Sequence, residues 1–329
     1  MVRRNAYSVE EMDSLGSRAE ALIRQVKESN VLTPEQKQGI LKSNELSEEE
    51  INRFGESARI HSIFRIHLFS QLFRDYIREP RKLDVAADLL GEDLFCPNDL
   101  YFFKAPGVGR PICWHQDSWY FRNIYETPDG ESIEDVSIGT WLAIDEATRE
   151  NGCLWVIPGS HKRGVVEHSE NEEKQFLKFE ADIAGQIKKD AVPVEVPKGA
   201  LIFFNNALLH SSTHNLSDRR RRAYIVHFMK ATVHHTERGR NQVWATRLRL
   251  GIPEAYICGQ RFPECVQTPD DEECLNWDNA IGKPMTQEDL ILPSVCPLGD
   301  AGAQPQQIRH VPEHKKPGHQ QIRSTARPQ

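Results

Sequence analysis

Apolar positions in the first ninety residues recur at helical spacing. Leu15, Leu22, Ile23 and Val26 form one stripe, as residues three and four apart share a helix face. Ser8 followed by Glu11 reads as a capping box, with Tyr7 and Met12 placed as a hydrophobic staple. Ser47 with Glu50, flanked by Leu46 and Ile51, repeats the arrangement. Thr33 before Pro34 marks another helix start, since proline suits the first helical position. A stripe of Ile63, Ile66, Phe69, Leu72, Phe73 and Tyr76 predicts a further helix that Pro80 stops. Val85 to Leu90 reads as a short helix closed by Gly91.

The pattern changes after residue 97. Runs become short, aromatic and β-branched, and Gly, Pro and Asn punctuate them, as strands joined by turns require. Candidate strands are 99–104, 112–117, 136–145, 153–157, 192–196, 200–205, 210–214 and 221–231. Eight short strands with few helices between them predict a mainly β fold with flanking helices, of barrel or jelly-roll type. The acidic stretch 167–189 is expected as a helix or long loop. The expected organisation is a helical region 1–96 packed on a β core 97–231, then an extension 232–296, as one catalytic domain. The extension shows no clear period and is expected as a lid or an oligomer contact. The tail 297–329 has no aromatic residue and is expected to be disordered.

Composition narrows the function. Hydrophobic residues are 39% and charged residues 27%, a globular balance. The net charge of −7 argues against a sequence-independent nucleic-acid binder, which needs a basic face. No apolar run approaches the roughly 18 residues that span a bilayer, so no membrane partner is expected. The N-terminus has no apolar signal core. Seven Cys at wide spacing, with no CxxC, make a disulfide framework or zinc ribbon a poor reading. A reducing, cytoplasmic location is expected.

Candidate chemistry centres on His115 and Asp117, within the run Cys113 to Phe121. On a strand, residues two apart share a face, so both side chains can reach one metal ion. An isolated His-x-Asp is weak among thirteen histidines. His168 and Glu170 make a rival pair, read here as a solvated loop. Two later histidines, His210 and His214, can each complete a set. Arg219 to Arg222 offer four cations for an anion, Arg221 sharing a strand face with Ala223, Ile225 and His227.

Further segments change these odds. NGCLWVIPGSH occupies 151–161, and HSSTHN occupies 210–215, with the arginine run just after it. In this order and spacing the chain closely resembles the phytanoyl-CoA dioxygenase family of Fe(II)- and 2-oxoglutarate-dependent oxygenases, over roughly residues 55–231. The resemblance implies a double-stranded β-helix, a jelly-roll of the cupin type. It implies that His115, Asp117 and His210 ligate Fe(II) and carry the catalysis, with His210 selected over His214 by the HxSxxN frame. It implies that Arg221, eleven positions after His210, binds the distal carboxylate of 2-oxoglutarate with Ser212. Arginine suits that role because its planar fork donates two parallel hydrogen bonds. Trp141, beside the small Gly139 and Ala143, is expected to wall the cosubstrate cavity. Arg59 is the nearest match to an upstream basic contact. O2 is the expected oxidant and ascorbate an aid to assay.

The implied activity is hydroxylation, or another oxidation, of a C–H bond of a small organic substrate. Retention of Asp117 disfavours halogenation, since related halogenases carry a small residue there. Two other readings are a non-catalytic binding module on the same fold and a zinc hydrolase using the same His, Asp and His set.

Overall fold

Ser8 opens the first helix as its spacing predicts. Its Oγ accepts from the Glu11 N–H at 3.2 Å, and its own N–H donates to the Glu11 carboxylate at 2.7 Å. Two orphan helix donors are thereby satisfied. Tyr7 and Met12 are both buried in the same apolar cluster. Ser47 and Glu50 make the second capping box.

The computed structural model describes residues 1–236 apart from 31, 33, 44–45, 92–93, 129, 172–176, 178, 184–188 and 231. The expected tail 297–329, the Thr33 cap and most of the 232–296 extension therefore lie outside the described residues.

Six α-helices are described. They are α1 (Val9–Glu28), α2 (Pro34–Ile40), α3 (Glu48–Phe54), α4 (Gln71–Ile77), α5 (Pro80–Leu90) and α6 (Asp117–Phe121). The first strands are β1 (Val2–Arg3), β2 (Leu41–Ser43), β3 (Ile60–Phe64), β4 (Leu94–Lys104) and β5 (Ile112–His115). Then come β6 (Tyr125–Glu126), β7 (Ser137–Ala143), β8 (Leu154–Val156), β9 (His168–Glu170) and β10 (Phe179–Ala181). The last are β11 (Val192–Val194), β12 (Leu201–Asn205), β13 (His210–Ser212), β14 (Arg221–Lys230) and β15 (His234–His235).

A seven-stranded antiparallel sheet runs β1-β12-β7-β14-β4-β3-β2, and a four-stranded one runs β11-β8-β13-β5. Trp141, Ala143, Leu154, Ile202 and Ala223 join their inner faces in one cluster. The outer face of the large sheet carries Tyr101, Leu142, Phe203 and Tyr224. It packs against Met12, Leu15 and Leu22 of α1 and Phe73 and Ile77 of α4. The architecture is the predicted one: a double-stranded β-helix core with helices on one face.

Two expectations fail locally. The apolar stripe from Ile63 does not start a helix. Ile63 and Phe64 pair with Tyr101 and Leu100 as part of β3. Sheet pairing overrides a local helical period here. The chain then leaves β3 through Arg65, whose backbone is left-handed (φ 53°, ψ 49°). Helix α4 ends at Ile77, and Pro80 opens α5 at its first position. The stretch 167–189 is likewise no helix where described, because His168–Glu170 and Phe179–Ala181 pair as antiparallel strands.

Candidate active site

Sheet pairing brings the predicted metal-binding residues together. His115 ends β5 and His210 begins β13, and their Cα atoms are register partners. Their rings lie 4.0 Å apart, centroid to centroid. Gln116 is extended (φ −126°, ψ 128°), so the side chain of Asp117 returns to the side of His115. Asp117 itself begins helix α6 rather than continuing a strand, as the run 112–117 had predicted.

His115 Nδ1 donates to the Cys113 carbonyl and His210 Nδ1 to the Leu208 carbonyl, each at 2.9 Å. Those bonds fix the tautomers and leave both Nε2 lone pairs unused. His115 Nε2 lies 3.7 Å from one Asp117 oxygen, and His210 Nε2 lies 3.8 Å from the other. One ligand atom from each of the three residues fits within 4.8 Å of the others. Burial, then the neighbouring His210, pushes His115 down to about 3, so its ring is neutral. Burial would raise Asp117, but the imidazoles of His227, His210 and His115 outweigh it and hold the carboxyl below its usual range. Two imidazole nitrogens and an ionised carboxylate suit iron(II) with positions left open.

A cavity of about 400 Å³ opens over this trio and extends to Trp141, Ser212 and Arg221. Arg221 is 1% exposed, and its Nε and Nη1 have no hydrogen-bond partner among the described residues. Ser212 Oγ is buried and equally unpartnered. Buried donors are nearly always satisfied, so three unpartnered ones on residues lining one cavity fit an anionic acceptor there. The guanidinium lies 5.5 Å from the Trp141 ring centroid and 5.3 Å from that of Phe102. The space beside Gly139, however, is not open cavity. A Cβ there would meet the Phe204 ring at 2.5 Å.

The other arginines of the run are spoken for. Arg219 pairs with Glu146 at 2.9 Å, Arg220 with Glu20 at 2.6 Å, and Arg222 with Asp145 through two nitrogens. Strand alternation turns Arg222 away from the face that Arg221 shares. His214 lies beyond β13, is exposed, and does not line the cavity. Arg59 sits in a single 3-10 turn and does not line it either.

His168 needs correction. It is no solvated loop residue but 8% exposed, stacked on Trp119 with centroids 4.7 Å apart. Its Nε2 accepts from the Gln116 N–H at 3.1 Å. The acidic neighbours that disguised it face outward from the β9 edge strand.

Sequence reasoning assigned no role to one residue that lines the cavity, His227, or to one that pairs with Arg221, Lys104. Lys104 pairs with Arg221 in the β4–β14 ladder, and His227 Nδ1 lies 3.9 Å from Asp117. The period of two on β14 pointed to His227, whereas nothing local marked Lys104.

Several solved structures share this fold. One described as a non-heme monooxygenase, ThoJ in its apo form, has a TM-score of 0.55 at 19% identity, covering 85% of this chain and 90% of that one. Another, EctD from S. alaskensis with 2-oxoglutarate and 5-hydroxyectoine, has a TM-score of 0.52 at 21% identity, covering 70% and 72%. At such identities the likeness is one of fold, the double-stranded β-helix of cupin-like oxygenases. The sequence profile of the family Phytanoyl-CoA dioxygenase (PhyH) matches residues 1–223, and the chain belongs to that family. A phytanoyl-CoA dioxygenase from Arabidopsis thaliana is 31% identical over 166 residues, 50% of this chain and 55% of that protein. A phytanoyl-CoA dioxygenase domain-containing protein 1 from Danio rerio is 29% identical over 202 residues, 60% and 61% respectively. The chain therefore spans little more than half the length of these relatives.

Proposed function

We propose that the chain is an Fe(II)- and 2-oxoglutarate-dependent dioxygenase that hydroxylates, or otherwise oxidises, a C–H bond of a small organic substrate. The observation that carries this reading is the meeting of the unpartnered donors of Arg221 and Ser212 with the His115, Asp117 and His210 trio in one buried cavity. A hydrolase using zinc on the same trio would have no use for those donors.

His115, Asp117 and His210 would hold the iron through two Nε2 atoms and one carboxylate oxygen. Arg221 would receive the distal carboxylate of 2-oxoglutarate in a bidentate pair, with Ser212 Oγ donating to the same group. Trp141 and Phe102, which flank the Arg221 guanidinium, would shield that carboxylate from water and so strengthen each charge-assisted bond. When bound, iron and 2-oxoglutarate supply an O2-dependent oxidation in which the cosubstrate becomes succinate and CO2. The residues orient and shield the reacting groups, and the chemistry is the cofactor's.

The test is succinate release from 2-oxoglutarate with Fe(II), ascorbate and O2. Turnover that requires Fe(II) and is lost in Asp117→Ala supports the reading. Full turnover in Asp117→Ala sinks the metal assignment. The absence of any succinate sinks the activity.

A further inference from the structure

We infer that the primary substrate is a free carboxylic acid with an apolar body, its carboxylate held by Arg65. This rests on the proposed cosubstrate reading, which accounts for both carboxylates of 2-oxoglutarate: one at Arg221, one at the metal. The cavity contains a second arginine that this assignment does not use. Arg65 lines it, with its guanidinium 5.7 Å from the Phe64 ring centroid.

Arg65 is aimed there at a conformational cost. It is the one non-glycine residue with positive φ among the described residues. L-residues resist that conformation, and strain of this kind gathers where function needs it. The turn is clamped from below. The Arg65 N–H donates to the Asp99 carbonyl at 2.8 Å. The Asp99 carboxylate accepts from the His67 N–H at 3.3 Å and the Tyr224 hydroxyl at 2.9 Å, and it binds the His67 ring as well. Asp99 and His67 are fully buried, so the αL turn is over-determined by its support.

The position relative to the metal suits a substrate. Asn98 on β4 is the register partner of His227 on β14, beside Asp117, and Phe64 on β3 is the partner of Leu100. Two strand spacings, about 10 Å, thus separate the His227 and Arg65 backbones. Asn98 Oδ1 is buried at this end, lines the cavity, and has no hydrogen-bond partner among the described residues. Its amide can be turned so that the nitrogen donates to the same carboxylate. The same cavity is lined by the apolar and aromatic side chains of Phe64, Tyr120, Phe121, Ile124 and Tyr125. An apolar body with a single anionic end matches that distribution.

The same features disfavour a thioester. Esterification removes the charge that Arg65 would bind.

The experiment is calorimetric binding to the Fe(II) and 2-oxoglutarate-loaded enzyme under nitrogen. Its probes are octanoate, 3-phenylpropionate and 4-phenylbutyrate, the methyl ester of each, and 3-phenylpropionyl-CoA. At least one acid is expected to bind about tenfold or more tightly than its ester, the effect of a charge-assisted bond. Arg65→Met should abolish that preference and Arg65→Lys retain part of it. Equal binding of acid and ester by the unsubstituted enzyme overturns the inference, and does so even if the Met variant fails to fold. An unchanged preference in Arg65→Met, tighter binding of the thioester, or no binding by any acid also overturns it. Succinate release without added substrate separates the two ideas. Its loss would condemn the proposed function, whereas its persistence with no acid preference would condemn only this one.

Discussion

Lys104 and Arg221 face each other as register partners on β4 and β14, two buried cations side by side. Neither has a carboxylate within ion-pair distance among the described residues. Lys104 Nζ donates to the Thr213 carbonyl, leaving the charge itself unanswered. Burial, then Arg221, holds Lys104 well below the usual lysine range, and burial pushes Arg221 down to about 10. Such a pair is costly unless an anion arrives to neutralise it.

That cost gives a prediction with two opposite signs. Arg221→Met should raise the melting temperature of the ligand-free protein, because it removes an uncompensated buried charge. The same change should raise the KM for 2-oxoglutarate roughly ten- to hundredfold, from the loss of about 1.5–3 kcal/mol of charged hydrogen bonding. Thermal melts with and without 2-oxoglutarate, plus succinate kinetics, read both effects. Arg221→Lys should behave as an intermediate, since it keeps charge but loses the fork. An unchanged KM would remove Arg221 from the cosubstrate site.

The metal trio predicts a graded response in metal affinity. His115→Ala, Asp117→Ala and His210→Ala should each weaken Fe(II) or Co(II) binding by about a hundredfold or more, beyond what outer-shell changes cause. His214→Ala should leave it unchanged, because His214 is exposed and lies beyond β13. Anaerobic titration followed by absorbance distinguishes these outcomes. A large loss in His214→Ala would mean that the frame of the third ligand is misread.

Much of this was legible in the chain. The capping boxes at Ser8 and Ser47 were local signals, and they hold because their partners lie three residues away. The choice of Arg221 within its run came from the family resemblance, which places the arginine eleven positions after His210, and strand alternation agreed with it. Lys104 and Arg65 were not legible. Lys104 matters only through its partner on β14, 117 positions later, and Arg65 only because its αL turn rests on Asp99. His168 was misread because its exposed acidic neighbours gave the segment the texture of a loop. The stripe at Ile63 failed for a related reason: the helical period was real, but β4 offered strand pairing that the sequence does not display.

Buried histidines predict acid sensitivity of the metal-free protein. Burial pushes His115 down to about 3 and His61 to about 4, and it lowers His168 and His227 as well. Their folded pKa values lie below the unfolded value near 6.5. Between those limits the unfolded chain binds more protons, so stability rises with pH. It should be fully present above about pH 6.5 and fall as pH drops toward 4, by about 1.4 kcal/mol per pH unit for each group inside its window. Urea melts in EDTA from pH 7.5 to 4.5 measure this. A flat profile would contradict the burial of these rings.

Lys82 predicts a stability gain in a different pH range. It is fully buried in α5, and its Nζ has no hydrogen-bond partner among the described residues. Its Nζ lies 5.2 Å from the ring centroid of Tyr224, 5.5 Å from that of Tyr76 and 5.8 Å from that of Tyr7. Three cation–π contacts offset only part of the desolvation, and burial lowers the amine to about 7. The folded pKa again lies below the unfolded one, near 10.5, so the penalty is greatest below pH 7 and fades as pH rises toward 10.5. Lys82→Met keeps the side-chain volume and removes the charge. It should stabilise the protein by about 1–3 kcal/mol at pH 6.5, and by much less at pH 9.5. Paired melts at the two pH values decide the matter. A destabilised variant at pH 6.5 would show that the three tyrosines more than compensate the buried ammonium, and that this cluster holds α5 to the sheet as a cation.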